Sequence, residues 1–114
     1  MLFRSPMDYT LNSAPTVVQG KVIVGAFVQD NSNRDIASGV VRAFDANTGA
    51  FAWAWDMGAP DRVGEPGPGE TYTRGTPNAW PAFAVDEALG LVYVPTGNPS
   101  PDQYGVHRRP FDEK

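Results

Sequence analysis

The chain has 114 residues, room for one small domain, a net charge of −4 and a pI near 4.7. Lys and Arg form no cluster beyond Arg108-Arg109, which argues against nucleic-acid binding, and no run of eighteen apolar residues is present to cross a membrane. Gly (12) and Pro (11) make up about a fifth of the sequence, so short strands and turns are expected, with no helix beyond a single turn. Cys is absent, which leaves the redox compartment open, and Met1-Leu2-Phe3-Arg4-Ser5 lacks the apolar region of a signal peptide.

The first strand candidates are Ala14–Val18 and Lys21–Phe27, separated by Gln19-Gly20. Val22, Ile23 and Val24 form a continuous apolar run, as expected where both faces of a strand are covered. Gln29–Ser38 is too rich in Asp and Asn for a strand and reads as a polar loop. Gly39–Asp45 and Phe51–Asp56 read as a hairpin in which Phe51, Trp53 and Trp55 alternate with Ala52 and Ala54. Its turn is chemically specified. Asp45 can accept hydrogen bonds from donors two and three residues on, closing the turn with Thr48, and Gly49 supplies the positive φ of a turn followed by a bulge. Ala43 is small enough for Trp53 to lie across its strand. Both indoles, Trp53 and Trp55, are expected to be buried. Together the four strands make one antiparallel sheet of the size of a propeller blade.

A long loop from Met57 to Ala79 follows, dense in Gly and Pro around Gly64–Gly69, and loops of that length are usually functional or disordered. Pro81–Val85 and Leu89–Pro95 then repeat the opening pattern, Ser13 to Val24 being echoed by Trp80 to Val94. The echo implies a second blade whose own docking hairpin does not appear. The expected architecture is all-β, a fragment of about one and a half four-stranded blades: one blade at 14–56, the loop at 57–79 and the start of the next blade at 80–114.

The pattern A-x-D-x-x-T-G-x-x-x-W at Ala43–Trp53 resembles the tryptophan-docking motif of the quinoprotein dehydrogenases, β-propeller enzymes that use pyrroloquinoline quinone (PQQ). Further segments share the likeness in order: Ser13–Val18, Ser38–Asp45, Gly69–Trp80 and Leu89–Pro95. From Ser13 to about Lys114 the chain resembles the membrane-bound PQQ-dependent glucose/quinate/shikimate dehydrogenase family. The resemblance implies an eight-bladed propeller at the periplasmic face of the bacterial inner membrane, with an anchor upstream of this chain. It implies oxidation of a sugar or cyclic polyol, ubiquinone as acceptor, and PQQ with a divalent cation, Ca²⁺ or Mg²⁺, as cofactors. The remaining blades of a longer protein are then the chain's partners.

Site residues follow on the same footing. Trp80, at the entry to an inner strand, matches the residue that forms the floor beneath PQQ in related quinoproteins, and indole offers the largest stacking area of any side chain. Thr76 and Asn78 are candidates for hydrogen bonds to the PQQ carboxylates, though either side chain also suits capping of the loop backbone. Hard cations take carboxylate and amide oxygens. Asp30 and Asn31 stand where relatives place an acidic metal ligand, and Asn98, in Thr96-Gly97-Asn98-Pro99, resembles the amide ligand of alcohol-oxidising relatives. For Arg42 a pairing role across the strand is expected, for Arg74 a solvated loop position, and for His107 neither ligation nor catalysis. The family's general base is an Asp in an H-D-x-W-D segment, which does not occur here. No catalytic residue is therefore expected in this chain, and the chain alone is expected to be inactive.

Gly105-Val106-His107-Arg108-Arg109-Pro110 stands where glucose-type members have Gly-Gly-Asn-Arg-Thr-Pro. The departure leaves quinate, shikimate or another polyol open as substrate. The alternative is a non-enzymatic propeller of the outer-membrane assembly type, which shares the docking hairpin but has no use for Trp80, Asp30 and Asn98 at one channel.

Overall fold

The computed structural model describes residues 9–62 and 64–107. Eight short strands follow in order: β1 (Tyr9–Thr10), β2 (Thr16–Val18), β3 (Lys21–Val24), β4 (Phe27–Val28), β5 (Val41–Asp45), β6 (Phe51–Trp55), β7 (Ala84–Asp86) and β8 (Leu91–Tyr93). The only helical element among the described residues is a single 3₁₀ turn at Gly105–His107. Strands β2, β3, β5 and β6 form one four-stranded antiparallel sheet in chain order, β7 and β8 form a separate hairpin, and β1 pairs with β4.

Turn chemistry sets the sheet's register. Gln19 (φ 46°) and Gly20 (φ 70°) make the two-residue turn that matches strand twist, so Val18 faces Lys21 and Thr16 faces Ile23. In the β5–β6 hairpin Asp45 Oδ1 accepts from Asn47 N (3.0 Å), Thr48 N (2.8 Å) and Thr48 Oγ1 (2.9 Å). Gly49 takes φ 73° and donates to Asp45 O at 2.9 Å. The expected turn is present donor by donor.

The bulge lies one step further along. Ala43 pairs with Trp53, but Phe44 pairs with Phe51, so Ala52 is the extra residue. An inserted residue shifts the side-chain alternation by one. Phe51 therefore leaves the Trp53 face and meets Phe44 edge-on, ring centroids 6.2 Å apart. Uniform alternation across Phe51, Trp53 and Trp55 does not occur.

One face of the sheet buries Val18, Ile23, Val41 and Ala43 together with Ala79, and Trp53, Phe83, Val92 and Val94 pack against this cluster. The main core thus sits between the sheet and the segment carrying β7 and β8. Trp55, near the end of edge strand β6, stays 38% exposed instead of joining the core. On the opposite face Arg42 Nη2 donates to Tyr9 Oη at 2.9 Å, which ties β1 to the sheet. The β1–β4 pairing was not expected, and β7 begins at Ala84, later than the Pro81 start read from sequence.

Candidate functional site

Residues 73–80 form a strap threaded between the 26–39 loop and the 97–100 turn. Its backbone is bonded on both sides. Gly75 N donates to Ile36 O (3.0 Å) and Ala79 N to Ala26 O (3.2 Å), while Gly97 N donates to Asn78 O (2.9 Å) and Ser100 N to Gly75 O (2.9 Å). The approach is closest at Gly39, where a Cβ would overlap the Pro77 carbonyl oxygen, so only glycine fits. A buried hydroxyl pair, Ser38 Oγ and Thr76 Oγ1 at 3.1 Å, joins strap and loop beside it.

Thr76 and Asn78 are both buried, with opposite hydrogen-bond states. Thr76 Oγ1 donates to Thr73 O (3.2 Å) and accepts from Gly39 N (3.0 Å) as well as meeting Ser38. One donor and two acceptor sites exhaust a hydroxyl, so Thr76 is engaged in holding the strap. Asn78 is 1% exposed. Its Nδ2 donates to Asp30 Oδ2 at 2.6 Å, with Val28 O at 3.4 Å, and its Oδ1 has no partner. Two acceptors around the same atom fix that atom as the nitrogen. A buried amide oxygen facing Gly97 is therefore left with its acceptor capacity unused.

Asp30 is the electrostatic centre. Burial first, and then the negative charge of Asp102, push its carboxyl above the ordinary value, opposed by the Asn78 amide and a backbone N–H. Asp102 N donates to Asp30 O at 3.2 Å, which places the two carboxylates in one neighbourhood. Asn98 Nδ2 donates to Asp102 Oδ1 at 2.7 Å, and Asn31 Oδ1 accepts from Gln103 N at 3.0 Å. Asp30, Asn31, Asn78 and Asn98 thus lie in one hydrogen-bonded neighbourhood with Asp102. Asn31 and Asn98 are exposed on its outer side, and each side chain is bonded to the 102–103 turn. No group of three or more His, Cys, Asp or Glu side chains able to hold a metal occurs among the described residues.

Trp80 follows the buried pair Asn78 and Ala79 and emerges 50% exposed. A large flat indole is thus presented two residues from the Asn78–Asp30 bond, on a backbone fixed from both sides. Arg74, by contrast, makes an exposed ion pair with Asp35 through Nε at 2.7 Å and also meets Asp35 O, a surface clasp of the strap.

Three contributors escaped the sequence reading. Ser38 and Asp102 sit in stretches of ordinary loop composition, and Asp56 is the residue that immediately follows strand β6. Nothing in their local pattern marks them, because each acts on a segment tens of residues away or, for Asp56, across a long loop.

Antiparallel strands, a docking hairpin and a partner hairpin packed on one sheet face define a piece of a β-propeller. The family of the PQQ glucose/ethanol/alcohol dehydrogenase β-propeller domain matches residues 3–114, and the chain belongs to it. It is 46% identical over 109 residues to the glycerol dehydrogenase large subunit of Gluconobacter oxydans, covering 96% of this chain and 15% of that protein. It is 39% identical over 114 residues to quinoprotein glucose dehydrogenase A of Acinetobacter calcoaceticus, covering 100% of this chain and 14% of the relative. With the quinate/shikimate dehydrogenase (quinone) of Acinetobacter baylyi the identity is 37% over 106 residues, 93% of this chain and 13% of the relative. The chain therefore spans about one seventh of the length of the curated relatives it matches.

Proposed function

We propose that this chain supplies part of the cofactor cage of a PQQ-dependent dehydrogenase acting on a sugar or polyol, with ubiquinone as acceptor at the periplasmic face of the inner membrane. In this reading residues 14–56 form one blade of an eight-bladed ring, 57–79 the connecting loop, and 80–114 the start of the next blade. One observation carries the proposal: Trp80 presents a half-exposed indole directly after the buried residues Asn78 and Ala79, on a segment whose backbone is hydrogen-bonded on both sides. An exposed aromatic on a fixed backbone suits a flat ligand, because stacking then costs little side-chain ordering.

The donor set fits a cofactor that brings a cation. Asp30 is held in a half-buried site next to a second carboxylate, an arrangement that a divalent cation would relieve. The unpartnered Asn78 Oδ1 lies in the same cluster. Asp30, with Asn31 and Asn98 at the rim, would hold the cation, while Trp80 would form the floor and Asn78 would meet polar edges of the ligand. PQQ held there would supply a hydride acceptor for the substrate alcohol, and the cation would supply Lewis-acid polarisation. The residues of this chain bind and orient; none is assigned as the proton-abstracting base.

Relatives named for glycerol, glucose and quinate leave the substrate within the polyols, and the Gly105–Pro110 departure from glucose-type sequences favours a polyol other than glucose. All of them are dehydrogenases, which disfavours the scaffold alternative. The test uses a protein of the relatives' length containing this chain, supplied with PQQ and Ca²⁺ or Mg²⁺ and assayed by dye reduction. Glycerol or a cyclic polyol should support faster reduction than glucose. No PQQ-dependent reduction with any of the three substrate types would overturn the reading. Trp80→Ala should weaken PQQ binding by about 1–3 kcal/mol of lost stacking. Unchanged affinity would return Trp80 to a packing role.

A further inference from the structure

We propose that Asp56 is a positioning residue for the cofactor-facing segment, acting through Thr73 to set Asn78 and Trp80; the inference rests on the functional reading above. Asp56 immediately follows the second strand of the docking hairpin and is 1% exposed, yet it touches none of the candidate cofactor residues directly. Its carboxylate is spent on the loop. Oδ2 accepts from Thr73 N (2.8 Å) and from Thr73 Oγ1 (3.0 Å), and Oδ1 accepts from Gly58 N (3.1 Å). Three neutral donors converge on one buried carboxylate. A loop of sixteen residues thus leaves the hairpin at Asp56 and returns to it at Thr73, where the strap begins.

From Thr73 the constraint passes along the strap. Thr73 O accepts from Thr76 Oγ1 at 3.2 Å, and that oxygen accepts from Gly39 N at 3.0 Å. Pro77 then lies against Gly39, Asn78 bonds Asp30, and Trp80 emerges. The Thr73 side chain also packs onto Gly58, so the two ends of the clasp fit without room to slide. Only an ionised carboxylate offers two oxygens with no hydrogen attached, and so can accept from both groups of Thr73 and from Gly58. An Asn at position 56 would turn an NH₂ toward at least one donor. The docking hairpin, fixed by its turn and by Trp53, thereby transmits its rigidity to a cofactor segment that has no strand of its own.

The test compares Asp56→Asn, Thr73→Val and Thr73→Ser in the protein of full length. Two quantities are read: PQQ affinity by tryptophan-fluorescence titration, and amide exchange at Gly75, Ala79, Gly97 and Ser100, whose N–H groups bond across the strap. Asp56→Asn and Thr73→Val should each weaken PQQ binding roughly tenfold and speed exchange at those four amides by a similar factor, as expected for losing one charge-assisted bond. Exchange in β3 and β5 should not change, and kcat at saturating PQQ should stay near wild type. Thr73→Ser keeps the hydroxyl and should behave as wild type, and the double variant should be no worse than either single one. If Asp56→Asn does not accumulate as folded protein, the Thr73 pair carries the same comparison. Faster exchange spread evenly over the sheet, or unchanged PQQ affinity in the Asn and Val variants of a wild type that binds PQQ, overturns the positioning role alone. A wild type that takes up no PQQ overturns the functional reading and the positioning role together.

Discussion

Asp45 was readable in the sequence, and Trp80 was singled out there as a candidate whose indole the structure leaves half exposed. Asp45 acts within three residues of itself, so its pattern with Thr48 and Gly49 is local, and the structure shows the predicted bonds. Those bonds have a pH signature. The N–H and O–H of Thr48, and then the Asn47 N–H, hold the Asp45 carboxyl below its ordinary value of 3.8. A depressed folded-state value means the turn's contribution is fully present above about 3.8 and is lost as pH falls through the lower folded value. Carboxyl NMR should show Asp45 titrating below 3.8, and Thr48→Val should move that titration upward by removing the hydroxyl donor. Titration at or above 3.8 in the wild type would contradict the account. Trp80 was marked by size and by its place after Pro77-Asn78-Ala79. The Asn78–Asp30 bond was not readable, since 48 residues separate its partners and only folding of the 26–39 loop brings them together.

At the level of elements, six strands in three hairpins (β2–β3, β5–β6 and β7–β8) were legible because their turns are chemically marked and their apolar runs are short. The register of the docking hairpin was legible only as far as Trp53. Beyond it, the bulge at Ala52 shifts the alternation, and a sequence of alternating Ala and aromatic residues reads the same with or without that extra residue. The two-residue strands β1 and β4 have no periodicity to read at all. The two hairpin indoles should differ accordingly. Trp53 packs against the Val18–Ile23–Val41–Ala43 cluster, whereas Trp55 is 38% exposed at the sheet's edge. In denaturant unfolding, Trp53→Ala should cost about 3 kcal/mol, the lower end for truncating a core aromatic, and Trp55→Ala within roughly 1 kcal/mol. Equal costs would show that Trp55 is packed in solution.

On the scale of the whole molecule, stability is distributed unevenly. The four-stranded sheet has its own covered face, whereas β7 and β8 form a two-stranded hairpin with Val85, Leu91 and Tyr93 exposed and Leu89 exposed at its turn. An isolated two-stranded hairpin is marginal in water, and packing of Phe83, Val92 and Val94 on the core cluster is its main support. Repeat architectures gain their stability from neighbour contacts, each repeat covering the next. In the ring proposed above, a neighbouring sheet would cover those four side chains. At about 25 cal/mol per Å² of apolar surface, burying a few hundred Å² there would stabilise by several kcal/mol, a large share of a domain's net stability. The 114-residue polypeptide alone should therefore exchange amides in 84–93 faster than those in β3 and β5. It should also show no PQQ- and Ca²⁺- or Mg²⁺-dependent dye reduction with glycerol, glucose or quinate. In the longer protein the same 84–93 amides should become as protected as β3. Turnover by the purified 114-residue chain would overturn this prediction, because it would place a working base and a complete cofactor cage within about one seventh of the relatives' length.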